Sequence, residues 1–274
     1  MGVDRSVVGS LFVDSERAFV SFIRSLFLAV LLAAPSSHAA IDFDTAVNVL
    51  RKVKVALGKT QESEGVRLTF NLAWKRSDFS ATPSCQSRSS EDHLVFLTGG
   101  VARADYMTAD TFAVIACHEA AHCFGGEPRV IRGASVRTGV TVEGQSDFWA
   151  ANTCLREYFA NQLASQNLSG SDGGLTFDRG ITRICQSAYA NQIDQFICAK
   201  TIASAEGAVR GSMRKGERVD IGTPSPLVVS ATDLDHPSAQ CRLDTFVQAA
   251  VCPQGECLND RPRCWYHPSS GEGP

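Results

Sequence analysis

An excess of charge of either sign is missing from this chain. Its 26 Lys and Arg against 29 Asp and Glu leave a formal net charge of −3 over 274 residues, with a pI near 6.1. That balance offers no electrostatic footprint for nucleic acid or for an anionic membrane surface. An internal repeat of about 20–50 residues is also missing, which excludes solenoids and propellers. No long polar or low-complexity tract interrupts the chain, and beyond the N-terminus no segment is apolar for long enough to cross a membrane. What remains, 44% hydrophobic and 20% charged, suits one globular domain with at most a C-terminal appendage. Histidine is scarce: of six, only five lie beyond residue 39, so a close pair carries weight.

Cysteine is absent from the first 84 residues; all ten stand at positions 85, 117, 123, 154, 185, 198, 241, 252, 257 and 264. All ten therefore lie beyond the N-terminal segment. Arg17 and Arg24 precede "SLFLAVLLAA" (25–34), and "PSSHAA" (35–40) follows. A basic flank, a short apolar run and small residues at Ser37-His38-Ala39 predict a secretory signal peptide over 1–39, cleaved after Ala39. The alternative is an uncleaved anchor, for which Leu26–Ala34 falls well short of the about 20 residues a span needs. No cysteine near the cleavage site marks a lipoprotein. An even cysteine count in an exported chain argues for up to five disulfides and an oxidising destination, periplasm or exterior.

Along the exported part, residues 41–57 carry Val47, Leu50, Val53 and Leu57 at helical spacing behind a candidate cap, Asp44. Val66, Leu68, Phe70, Leu72 and Trp74 alternate as in a half-buried strand; 77–92 reads as loop, and 93–103 as a strand ending at Gly99-Gly100. A helix is predicted from Thr108 or Asp110 to Gly125-Gly126. Further helices are predicted over 143–164, over 181–209 as one or two pieces, and over 241–252. Residues 169–174 form a loop and 214–235 an irregular stretch. The tail 253–274, rich in Pro, Gly and Cys, is expected to be held by disulfides. The fold class is therefore α+β, mainly helical with a small sheet, with one domain over 40–252 and the tail packed on it.

The stretch "ACHEAAHCFGG" (116–126) holds the chemistry. On a helix, His118 and His122 stand about 6 Å apart in rise on one face, where both imidazoles can reach one zinc ion at about 2.0–2.1 Å. Glu119, turned about 100° away, is no comfortable third ligand but can take a proton from water at the metal. The competing reading is a histidine pair in a disulfide-rich core with no metal. Glu143 and Asp147, again four apart, begin a second helix 25 residues after His118. Glu143 would complete a His-His-Glu set with an open fourth position, and Asp147 could accept the outer ring proton of a ligating histidine. A solvated acidic helix start is the alternative there.

H-E-x-x-H followed by E-x-x-x-D resembles the gluzincin metallopeptidases. "DHPSAQCRL" (235–243) is similar to the H-P-x-x-x-x-R segment of one branch, the HtpX and CAAX prenyl protease family, which includes soluble periplasmic members. The resemblance implies a compact gluzincin-like fold in which an edge strand of the small sheet precedes the H-E-x-x-H helix. It implies one Zn2+ held by His118, His122 and Glu143, Glu119 as general base, and Asp147 behind the ligands. His236 would donate to the oxyanion, with Arg242 supporting it. A protein or peptide substrate would bind as an added strand near Leu97–Val101. The chain departs from that family in its lack of spanning segments, in its many cysteines, and in Ser146 standing where alanine is usual.

Cys117 and Cys123 are six apart, so on one helix they stand about 9 Å apart in rise and cannot bond to each other. Each is turned about 100° from the neighbouring histidine, a poor position for a zinc ligand. Bonds to other segments follow, with Cys154 one candidate partner and Cys252–Cys257 a candidate local loop. The resulting expectation is an exported zinc endopeptidase; the rival is a catalytically silent zinc-binding module that keeps the scaffold.

Overall fold

Asp42, rather than Asp44, caps the first helix, α1 (Phe43–Ala56), its side chain accepting the Thr45 N–H at 2.7 Å. Asp44 falls in the first turn, where its charge still meets the positive helix end. The computed structural model describes residues 40–85, 92–131, 139–166, 176–254, 256–257 and 260–268; the signal peptide predicted over 1–39 and the loop over 169–174 lie outside them. After a short α2 (Gly58–Glu64) come β1 (Leu68–Ala73), β2 (Ala81–Ser84), β3 (His93–Thr98) and a single turn, α3 (Gly99–Ala102). The central helix is α4 (Ala109–Phe124). A two-stranded ribbon, β4 (Arg129–Val130) with β5 (Val140–Thr141), leads into α5 (Glu143–Trp149), a π-helical segment (Ala150–Leu155) and α6 (Arg156–Gln166). α7 (Arg179–Ala188) and α8 (Gln192–Ser212) follow. An irregular strap over 213–238 then reaches α9 (Ala239–Ala250) and the tail. The architecture is mainly helical α+β.

The three-stranded sheet has the order β1-β3-β2, with β1 parallel and β2 antiparallel to β3. Two expectations change here. Residues 77–92 are not all loop, because Ala81–Ser84 form β2. And β3, the strand before the H-E-x-x-H helix, is central rather than an edge: Leu97 faces Leu72 on one side and Ala81 on the other, while Gly99–Val101 are helical. No strand can be added at Leu97–Val101. The edge nearer α4 belongs to β2, whose "ATPS" lacks the apolar alternation that announces a strand. Thr98 N–H donates to Ser80 C=O at 3.0 Å, so by alternation the Pro83 nitrogen points away from β3, where a missing N–H costs no ladder bond.

α4 starts where expected, with Thr108 Oγ1 accepting the Thr111 N–H at 3.1 Å, and ends at Gly125. From Thr111 to Phe124 every residue but Ile115 is buried. A helix covered on all sides has no polar stripe, which is why this stretch lacks amphipathic periodicity. Disulfides secure both flanks of its histidine pair: Cys117–Cys154 ties it to the π-helical segment, and Cys85–Cys123 ties it to the residue after β2. Cys185–Cys198 joins α7 to α8, Cys241–Cys264 joins α9 to the tail, and Cys252–Cys257 closes a short loop. All ten cysteines are paired; Cys252–Cys257 is the local loop expected from the sequence, and Cys154, one candidate partner for Cys117 or Cys123, bonds Cys117. Five disulfides fit an oxidising, extracytoplasmic setting. Among the described residues no helix is long and apolar enough to cross a membrane.

Candidate metal centre

Helical geometry brings the pair together as expected: the His118 and His122 rings lie 4.8 Å apart, centroid to centroid, on one face of α4. α5 packs across that face and presents Glu143 from its first turn. Glu143 Oε2 lies 3.2 Å from His118 Nε2 and 3.7 Å from His122 Nε2. Around a tetrahedral ion with bonds of about 2.0–2.1 Å, neighbouring ligand atoms stand about 3.3 Å apart, so these separations already match a metal's coordination edges. The three residues are buried and can hold one metal ion. Glu143 Oε2 is buried and no well-aligned hydrogen bond reaches it among the described residues, the condition of an atom waiting for a cation.

The outer nitrogens are also held. His122 Nδ1 donates to the Thr141 carbonyl at 2.7 Å, and the Ser146 hydroxyl lies 3.0 Å from the same nitrogen. A protonated Nδ1 leaves Nε2 free as a ligand. His118 Nδ1 lies 2.7 Å from Asp147 Oδ1. Asp147 is fully buried and its carboxylate also accepts two hydrogen bonds of 2.7 Å from Arg242, on Nε and Nη2. Arg242 therefore meets the site through Asp147. His236, on the strap and largely exposed, places Nε2 3.3 Å from Glu143 Oε1. All seven residues named from the sequence thus come together.

Charge in this cluster is strongly redistributed. Burial disfavours a cation at His118, but the Asp147 carboxylate outweighs it and pushes the imidazole up to about 10. Burial and then the His118 charge push His122 down to about 4. Glu119 is pushed up to about 7 by burial, opposed by His118 and reinforced by Glu143. Burial would raise Glu143 too, yet His118, His122 and His236 together hold it far below the usual carboxylate range. Asp147 is likewise lowered, burial being overcome by Arg242 and His118. At neutral pH the raised value keeps a proton on His118, between Asp147 and Glu143, at the place a dication could take.

His118 and Glu119 open onto a cleft of about 320 Å³, shared with His236 and Arg242 and walled by Val114, Val209 and Phe246. Phe79, Ser80 and Ala81 form its rim at the start of β2. Sequence reasoning missed this rim and the Thr141 carbonyl. The first hides in a polar, proline-containing stretch, and a backbone acceptor leaves no mark in a side-chain pattern. Comparison with protein-family models, curated proteins and solved structures found no match.

Proposed function

We propose that the chain is an exported zinc-dependent endopeptidase, with a signal peptide over 1–39, a catalytic domain over 40–252 and the tail 253–274 packed on it. The observation that carries this reading is the convergence of His118 Nε2, His122 Nε2 and Glu143 Oε2, with Glu119 beside them in an open cleft. Zinc bound by that set would supply Lewis acidity and a water acidified to a pKa of about 7.

The chain's own residues do the rest. Glu119, buried and balanced near neutrality, accepts the proton of the attacking water and returns it to the departing amine. His236 donates a hydrogen bond to the carbonyl oxygen as that oxygen gains charge. Asp147, itself gripped by Arg242, keeps His118 turned so that Nε2 faces the ligand cluster. An extended protein or peptide segment lies along the β2 edge at Ala81, paired by backbone and therefore tolerant of sequence. No covalent intermediate forms, since no nucleophilic side chain is required.

The test is metal analysis of the purified protein with casein or peptide cleavage, beside Glu119→Gln. Stoichiometric zinc in both, and cleavage by the parent chain alone, is the expected result. Zinc without cleavage by either across many substrates would leave the silent binding module instead; no stoichiometric metal would end both zinc readings.

A further inference from the structure

Gly144 directly follows the candidate ligand Glu143, and a Cβ there would stand 2.3 Å from Cδ2 of Trp265. The glycine is a notch cut for that indole. Trp265 is fully buried and clusters with Val142, Cys241, Cys264 and Tyr266, so the ring bears on both residues that flank Glu143. Its N–H makes no hydrogen bond among the described residues, so packing rather than a polar side-chain contact seats the ring. Its neighbour Cys264 is bonded to Cys241, one position before Arg242.

The same tail holds the strap that carries His236. Val229 N–H donates to the Arg263 carbonyl at 2.9 Å, Asp233 N–H to the Trp265 carbonyl at 2.7 Å, and His267 N–H to Thr232 Oγ1 at 3.1 Å. Without helix or strand of its own, the strap is held in part by these bonds, and it places His236 3.3 Å from Glu143. Tail, strap, His236, Glu143 and Gly144 make a closed ring of contacts.

We infer that residues 261–267 form a clasp on the candidate metal centre, with Trp265 a positioning residue for Glu143 and His236. This inference rests on the metal reading above, though not on peptidase activity. Trp265→Leu loosens the notch and Gly144→Ala crowds it, so either displaces Glu143; Trp265→Phe keeps an aromatic plate against the glycine. Ile181→Ala, in the separate cluster beneath α7, is a control for loss of core packing alone.

The experiment is zinc affinity of the full, oxidised chain by competition with a chromophoric chelator, well below each variant's melting temperature. Trp265→Leu and Gly144→Ala are expected to bind zinc about tenfold or more weakly. Trp265→Phe recovers most of the loss, and Ile181→Ala binds as the parent does despite a lower Tm. Should Trp265→Leu fail to fold, Gly144→Ala and the paired Cys241→Ser, Cys264→Ser variant carry the same measurement. Unchanged affinity in the notch variants, or equal weakening in Ile181→Ala, overturns the clasp. A parent chain that binds zinc yet cleaves nothing would sink the peptidase reading and leave the clasp standing. A parent chain that binds no zinc removes both.

Discussion

Replacing Asp147 with asparagine keeps a side chain's shape and removes the charge that two neighbours need. Asp147 Oδ1 lies 2.7 Å from His118 Nδ1, and its carboxylate accepts two hydrogen bonds of 2.7 Å from Arg242. An amide offers one acceptor to a guanidinium that presents two donors, and it leaves a largely buried cation without its counter-charge. Breaking a buried pair in this way costs about 3–5 kcal/mol, a large part of a domain's typical stability of about 5–15 kcal/mol. On the other side His118 loses the partner that orients its ring, and such a loss lowers metal affinity about 10–100-fold. The two effects separate in the double variant. Adding Arg242→Gln to Asp147→Asn removes the stranded cation, so stability returns by about 1–3 kcal/mol while zinc binding stays weak. Urea unfolding of the oxidised, metal-free protein reads the first effect and chelator competition reads the second. A stability loss below about 1 kcal/mol, the size of an exposed pair, would refute the claim that the Asp147–Arg242 pair is energetically buried. Zinc affinity within about twofold of the parent would refute the role assigned to Asp147 behind His118.

Glu119→Gln should lower peptide cleavage by about 10²–10⁴-fold while zinc content stays stoichiometric, as metal analysis beside a kinetic assay will show. Zinc must displace the proton from His118, whose imidazole is pushed up to about 10, so apparent affinity should climb about tenfold per pH unit across neutrality. A flat profile between pH 6.5 and 8 would contradict this. That same raised value means the trapped proton stabilises the metal-free fold fully below the unfolded value of about 6.5, and the contribution is lost as pH rises through about 10. The metal-free protein should therefore melt earlier at pH 10 than at pH 7.5, with the zinc-loaded form less affected. Replacing Cys117 and Cys154 together by serine opens a 37-residue separation and should cost about 4 kcal/mol in chemical unfolding on the chain-entropy account.

The metal cluster was legible because a helix turns sequence spacing directly into distance. His118 with His122, and Glu143 with Asp147, needed only the 3.6-residue period and two readable boundaries, Thr108 and Gly125. The same geometry excluded a Cys117–Cys123 bond and left Cys154 as a candidate partner. What escaped were features defined between segments. "HLVFLT" reads as a strand whether one neighbour or two flank it, so its central place in the sheet was hidden. β2 exists because β3 offers it an edge, and its own four residues say nothing of that. The π-helical turn at Ala150–Leu155 inserts a residue without any local signal. His236 could be placed near Glu143 only by resemblance, because the strap that carries it is held partly by hydrogen bonds to residues more than 30 positions further on.

The disulfides on either flank of the histidine pair bear on what the metal is for. In a zinc finger the ion's binding energy is spent on creating the fold, and a chelator unravels the chain. Here α4 is buried on every side and stapled at Cys117 and Cys123 whether or not an ion is present. The three candidate ligands are thus a standing feature of the scaffold, and removing an ion bound to them would leave the protein folded. An ion binding there would have to displace the His118 proton but would have no folding step to drive. Which cation such a site would take is accordingly decided by supply outside the cytoplasm as much as by the three side chains that would hold it.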